Sequence, residues 1–225
     1  MTYLELCQEL MREAGISGSL VSVLGQTGEL GRVVGWVAKA HRYIQNKHSN
    51  WEFLRRDVQF PVVVGTARYN ADDVAVTDFG NWRFSSSWRT YNTAAGVADE
   101  QPLAYMAYNA FRERYLMGTN RLMTGRPQVV TQAPDQSLIL WPIPDQAYTI
   151  VGEQYRAPMI LAANTDKPIF PPRFHDVIVY RALMFYGQFE GDGNTFNTGQ
   201  TECNRYLSML EEEYLPEWET AGAMA

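Results

Sequence analysis

The chain has 225 residues, 46% of them hydrophobic and 20% charged, with a formal net charge of −6 from 19 bases and 25 acids. That length suits one large domain or two small ones, and the composition is that of an ordinary globular protein able to bury a core without staples. The acidic balance, with a pI near 5.1, argues against a protein whose work is to grip nucleic acid, which normally shows a basic surface.

Two cysteines, Cys7 and Cys203, stand without a CxxC or a Cys/His cluster. They read as reduced, buried thiols of a protein made in the cytosol. Glu5 and Glu9 precede any base, which speaks against a signal peptide. No apolar run approaches the ~18 residues that would span a bilayer, so no membrane role is expected.

Thr2 and Glu5 form a T-x-x-E pair ahead of an apolar face of Tyr3, Leu6, Cys7, Leu10, Met11 and Ala14. Each side chain of such a pair satisfies a free backbone N–H at a helix start, so a first helix opens here and stops at Gly15. Residues 16–25 are a Gly/Ser-rich loop. A second helix starts near Thr27 or Gly28 and runs to about His48. Its buried face is Leu30, Val33, Val34, Val37, Ala40, His41 and Ile44; its polar face carries Arg32, Lys39, Arg42 and Gln45. Trp51 and Phe53 follow as an aromatic clasp.

At Asp57 the period becomes alternating. Val58, Phe60, Val62 and Val64 read as a strand that Pro61 confines to an edge or a bulge. Residues 65–73 read as a turn region and residues 74–77 as a short second strand. Residues 81–98 hold Trp82, Phe84, Trp88 and Tyr91 without a clear period. A third helix is expected from Pro102 to about Met117, with Leu103, Met106, Ala107, Ala110 and Phe111 inside. Strand candidates follow at residues 128–132, 137–141 and 148–155, separated by Pro-Asp and Pro-Ile-Pro-Asp turns.

The stretch from Lys167 to Asp192 organises the rest. Lys167-Pro168 and Pro171-Pro172 make a hinge, since proline lacks an N–H donor, and Pro172 can open a helix. Phe174, Val177, Ile178, Arg181, Ala182, Phe185 and Phe189 then recur at helical spacing, and Gly187, Gly191 and Gly193 weaken and end it. A last helix runs from about Thr195 to Leu215 and ends at Pro216. The expected fold is α+β, mainly a helical bundle of about four long helices. Residues 1–56 and 159–215 form the bundle, 57–158 a β-rich insertion with one helix between the second helix and the later ones, and 216–225 a tail.

No constellation of catalytic residues assembles. Gly25, Gly28 and Gly31 match neither GxGxxG nor a P-loop, and Glu29 sits where a phosphate needs positive potential. His41 and His48 lack a third ligand, and His175-Asp176 suits a helix start. Asp72, Asp73 and Asp78 have no EF-hand pattern. No catalytic, cofactor-binding or metal residue is assigned, and the chain is not read as an enzyme.

Arg112, Arg114, Arg121 and Arg126 lie against one Glu113, with Phe111 and Tyr115 between. A solvated helix face is favoured there over a nucleic-acid patch. Trp82, Phe84, Trp88 and Tyr91 read equally as an interface hot spot or as a local mini-core. Glu211, Glu212, Glu213, Glu217 and Glu219 put negative charge near a negative dipole end, which points to neutralisation by a partner. Trp218 stands alone on the terminal tail.

The ordered series of these features resembles the head-to-tail adaptor (connector) proteins of tailed bacteriophages. The segments are LCQELMREAGI, GQTGELGRVVGWVAKAHRYIQ leading to NWEFLRRD, GRPQVV, LILWPIPDQAYTIVGEQYRAPMIL and DKPIFPPRFHDVIVYRALMFYGQFEGD, then a closing amphipathic helix. The likeness is weakest over residues 67–101.

The resemblance implies a structural virion protein without chemistry or cofactor. It would be made in the bacterial host cytoplasm and placed in the neck between capsid and tail. It would form a homo-oligomeric ring of about twelve copies that extends the DNA channel. Its partners would be the portal protein above and a tail or neck protein below, with double-stranded DNA passing unbound through the lumen. Tyr214, Leu215, Trp218 and Met224 would be portal-docking candidates, and Trp82, Phe84, Trp88 and Tyr91 candidates for contact with the same or the next ring. An acidic or neutral lumen would let the genome slide, whereas a basic wall would hold phosphates through counterion release. The alternatives are another neck or tail ring component, such as a stopper or tail-proximal protein, and a generic helical interaction scaffold.

Overall fold

The computed structural model describes residues 1–85 and 88–216. The chain divides into two compact units. One comprises Met1–Leu54 together with the described residues from Pro158 onward, the other Arg55–Ala157. The first unit holds helices α1 (Tyr3–Glu13), α2 (Gly28–Lys47), α4 (Asp176–Glu190) and α5 (Gly193–Tyr214). Among the described residues the second holds ten strands and helix α3 (Tyr108–Tyr115).

The expectation of a mainly helical bundle is therefore overturned. The fold is α+β, with five α-helices among the described residues and a large curled sheet. The excess helix came from the single helix expected from Pro102 to about Met117. Leu103, Met106, Ala107, Ala110 and Phe111 fit a helical period by coincidence, but Gln101–Tyr105 is a strand with Leu103 alone turned inward. The helix begins only at Tyr108.

In the helical unit, α1 starts with a reciprocal cap. The Glu5 amide donates to Thr2 Oγ1 at 3.3 Å and the Thr2 amide to Glu5 Oε2 at 2.8 Å, satisfying two of the donors a helix start leaves free. Tyr3, Leu6, Cys7, Leu10 and Met11 are buried, and the Tyr3 hydroxyl donates to Val34 O on α2. Gln45, expected on the polar face of α2, is buried. Its amide pairs both ways with the backbone of Met159, Nε2 to the carbonyl at 3.1 Å and the amide N–H to Oε1 at 2.8 Å. A buried amide costs little once it is fully bonded.

The α4–α5 hairpin turns at Gly191, whose φ of +70° suits a residue without Cβ, and α5 is capped by Asp192. The two helices approach closely through Gly187 and Gly199. A Cβ on Gly187 would stand 2.6 Å from the Phe196 nitrogen, and one on Gly199 3.0 Å from the Tyr180 carbonyl. Phe189, read with the apolar series, is 55% exposed and rests on Trp36 with the Arg32 guanidinium above it. Two members of the acidic run at the end of α5 are paired within the chain, while Glu217 and Glu219 lie outside the described residues. Glu211 meets Lys47 and His48, each at 2.8 Å, and Glu213 meets Arg173.

The strands are β1 (Arg55–Pro61), β2 (Arg68–Tyr69), β3 (Phe79–Arg83), β4 (Trp88–Asn92), β5 (Gln101–Tyr105), β6 (Thr124–Gly125), β7 (Val129–Gln132), β8 (Leu138–Trp141), β9 (Ile143–Pro144) and β10 (Tyr148–Arg156). The main sheet runs β1-β10-β4-β5-β7-β8-β2, with β3 also on β10; β6 and β9 form a short parallel pair. Among the described residues, only β5 and β7 run parallel within the main sheet. Residues 74–77, expected as a strand, instead begin with the last residue of a 3-10 turn at Asp72–Val74 that Ala75 closes with φ +55°.

Strands β7 and β8 are buried on both faces. Val130, Leu138 and Leu140 enter the main core, while Val129 and Ile139 pack beneath Phe111 of α3. On β10, Gly152 lies under the Trp88 ring, and a Cβ there would fall 2.5 Å from the indole. Gly152→Ala is expected to cost about 2 kcal/mol, the usual scale for overpacking, read as a lower urea midpoint at unchanged slope. An unchanged midpoint would show that the indole yields freely.

His41 and His175 are buried in the helical unit. His175 donates from Nε2 to Phe170 O at 3.0 Å. Burial, then the nearby His175, pushes His41 down to about 4 from the ordinary 6.5, and burial lowers His175 too. The unfolded chain therefore binds protons that the folded one refuses between pH 6.5 and 4, and stability falls as pH drops through that window. From pH 7 to pH 5 the His41 contribution is a loss of about 2 kcal/mol. Urea titrations should show a smaller loss in His41→Gln; an equal loss would move the effect elsewhere.

Candidate interaction surfaces

One exposed feature of the sheet unit is a tip formed by α3 and the 3-10 turn Gly118–Leu122 after it. Met117 is 64% exposed, Leu122 69% and Met123 47%. Arg112, Arg114 and Arg121 are exposed around them, and among the described residues none of the three has a carboxylate partner. With Glu113, three bases against one acid leave the tip at +2.

The tip is held rigidly from below. The Tyr115 ring stacks on Trp141 with centroids 4.0 Å apart. Trp141 Nε1 donates to Asn120 O at 2.9 Å, and Asn120 Nδ2 donates to Arg114 O at 3.2 Å. The Ile143 amide donates to Met123 O at 2.9 Å, leading into the β6–β9 pair. A fixed platform leaves little backbone ordering entropy to lose on binding.

Arg126, grouped with these arginines in the sequence, belongs elsewhere. It is half-buried, pairs with the Asp99 carboxylate, donates to Asp99 O at 2.7 Å and lies over the Tyr148 ring. The guanidinium and the Asn92 amide hold the Asp99 carboxyl below its ordinary value.

The aromatic cluster is interior to the sheet unit. Trp82, Trp88 and Tyr91 are buried, and Phe84 is packed against the same core. Trp82 Nε1 donates to Gln136 O and Trp88 Nε1 to Arg83 O; Phe84 stacks on Trp88 and on Tyr105. Beside them Glu153 bridges Arg55 at 2.7 Å and Arg83 at 2.6 Å across the β1–β10–β3 register.

Of the four tail residues, Tyr214 and Leu215 are half-buried. The Tyr214 ring meets Phe174 edge-on and Phe53 at a tilt, each with centroids 6.0 Å apart. Trp218 and Met224 lie outside the described residues.

On the helical unit, Tyr180 of α4 stacks on Tyr206 of α5 at 5.8 Å, and Met209 is 47% exposed further along α5. Burial first, and then the charges of Glu13, Glu202 and Asp176 among its neighbours, raise the Tyr180 phenol's pKa. Arg205 pairs with Glu202 and covers the Tyr206 ring. Three acids against one base leave this face at −2.

The charge is partitioned between the units. Residues 55–157 carry ten arginines, no lysine and ten acids, so they are neutral; the remaining nine bases and fifteen acids carry the whole −6. Among the described residues no group of three or more His, Cys, Asp or Glu could hold a metal ion, and no helix is long and apolar enough to cross a membrane. Sequence reasoning missed Met117, Leu122 and Met123. The available signal was a run of apolar residues around Gly118 that fits neither period.

The family model described as SU10 adaptor protein matches residues 1–221. No curated protein matches the chain.

Trp141→Ala removes both the stack on Tyr115 and the bond to Asn120. It should loosen the tip by about 1.4 kcal/mol, so trypsin should cut after Arg121 roughly tenfold faster while the fold persists. An unchanged cutting rate would mean that the tip is held by other contacts.

Proposed function

The chain belongs to the SU10 adaptor protein family, and on that premise we propose that it is a structural head-to-tail adaptor of a tailed-phage virion. The observation that carries this reading is the family match, which spans all but the last four residues. The protein sits in the neck between capsid and tail. Copies form a closed ring of about twelve below the portal, each contacting the next head to tail, and the ring extends the DNA channel and receives the next tail component.

Two features support the reading. The chain offers an exposed apolar tip on a rigid sheet and a separate helical surface, as a subunit with two different faces requires. The excess acidity is confined to the helical unit. A channel wall drawn from that unit would repel phosphates and leave the genome free to move. The segment from Tyr214 to the C-terminus is the proposed portal contact, with Tyr214 and Leu215 at its root.

The test is native mass spectrometry of the full chain with the portal ring of the same source, beside a truncation ending at Tyr214. The expected result is a mass gain of about twelve copies, lost on truncation. A gain that survives truncation would remove the tail assignment and keep the adaptor. No association at any concentration would overturn portal docking and favour a component further down the neck.

A further inference from the structure

We propose that the tip of the sheet unit, residues 112–123, docks on the α4–α5 face of a second copy of this chain. The pairing rests on the adaptor reading for its ring geometry and on the two surfaces themselves for its chemistry.

The tip combines exposed Met117, Leu122 and Met123 with three guanidiniums that have no carboxylate partner among the described residues. Methionine and arginine are enriched in protein interfaces, and methionine adapts its shape to an irregular partner. Phosphate-binding surfaces present solvated bases; three exposed apolar side chains set among the bases would be left in water by a DNA backbone. A protein partner that is apolar at its centre and acidic at its rim satisfies both halves of the tip.

The α4–α5 face is such a surface. Its centre is the half-buried Tyr180–Tyr206 stack and exposed Met209. Its rim is Glu13, Asp176 and Glu202, with Arg205 already engaged by Glu202. The tip at +2 meets a face at −2. The surfaces are different, so each copy offers one of each, and the contact is heterologous. Repeated by rotation it closes a ring without a separate dimer stage. It also takes Arg112, Arg114 and Arg121 out of reach of passing phosphates.

A photo-crosslinking phenylalanine derivative placed at Met117 of the full chain tests this. Equal amounts of isotopically light and heavy chain are irradiated, alone and in portal-bound complexes, and the adducts are sequenced by mass spectrometry. The expected adducts join light to heavy chain and fall within residues 176–213. Arg114→Glu with Arg121→Glu should lower their yield about tenfold, the scale for breaking close interfacial charge pairs. Copies carrying Glu13→Arg and Glu202→Arg should restore it. Adducts confined to one copy, to other segments, to the portal or to DNA would overturn the proposal, as would no adduct. Twelve-copy complexes with adducts elsewhere would sink the docking and leave the adaptor reading. Mixed-isotope adducts at the expected place without portal binding would do the reverse.

Discussion

Strand β10 is bonded along both edges, and the sheet unit depends on it. β1 runs beside one edge from Thr149 to Tyr155. The other edge is shared, with β4 taking Tyr148–Val151 and β3 taking Glu153–Arg156. Gly152 falls in the gap between those two partners, and the Trp88 ring fills the space that a side chain would occupy. The indole N–H then bonds to Arg83 O, which ties the end of β3 to the start of β4. From β4 the order proceeds through β5 and β7 to β8, whose last residue, Trp141, anchors the tip. The distance from the buried glycine to the exposed methionines is thus spanned by continuous backbone pairing, and a fault at β10 would reach the tip as lost rigidity.

The helical unit solves a different problem. Its last two helices approach where Gly187 and Gly199 remove side-chain bulk, close enough that backbone meets backbone. Two polar side chains trapped inside are bonded. Gln45 mimics a strand partner for Met159, and His175 gives its ring N–H to the Phe170 carbonyl. The far end of α5 is clamped to the end of α2 by Lys47 and His48 on Glu211. The end of α5 is therefore held in place.

Local rules made much of this legible in the sequence. The T-x-x-E cap, the stop at Gly15 and the helix end at Gly191 need only a few neighbouring residues, and each stands where its chemistry predicted. β10 showed because it is long enough to carry alternation. β3 and β4 did not, since short strands rich in aromatic and small polar residues fit no period. β5 was lost to a helical period completed by chance, and with it the weight of the sheet. Side-chain context was the other blind spot. Gln45 looked solvent-facing because its partner lies more than a hundred positions away. Glu211 looked unneutralised for the same reason. The tip was the hardest to see: Met117, Leu122 and Met123 differ from core residues only in being uncovered, and exposure is a property of the fold.

The distribution of bases has a chemical consequence. Every cation on the side chains of the sheet unit is a guanidinium. Guanidinium stays protonated at any pH at which a protein survives, whereas an ammonium loses its charge when buried or in alkali. No side-chain amine is present there for acylating reagents to consume. The positive charge of that unit is therefore a permanent attribute of the protein, fixed at synthesis and indifferent to the medium.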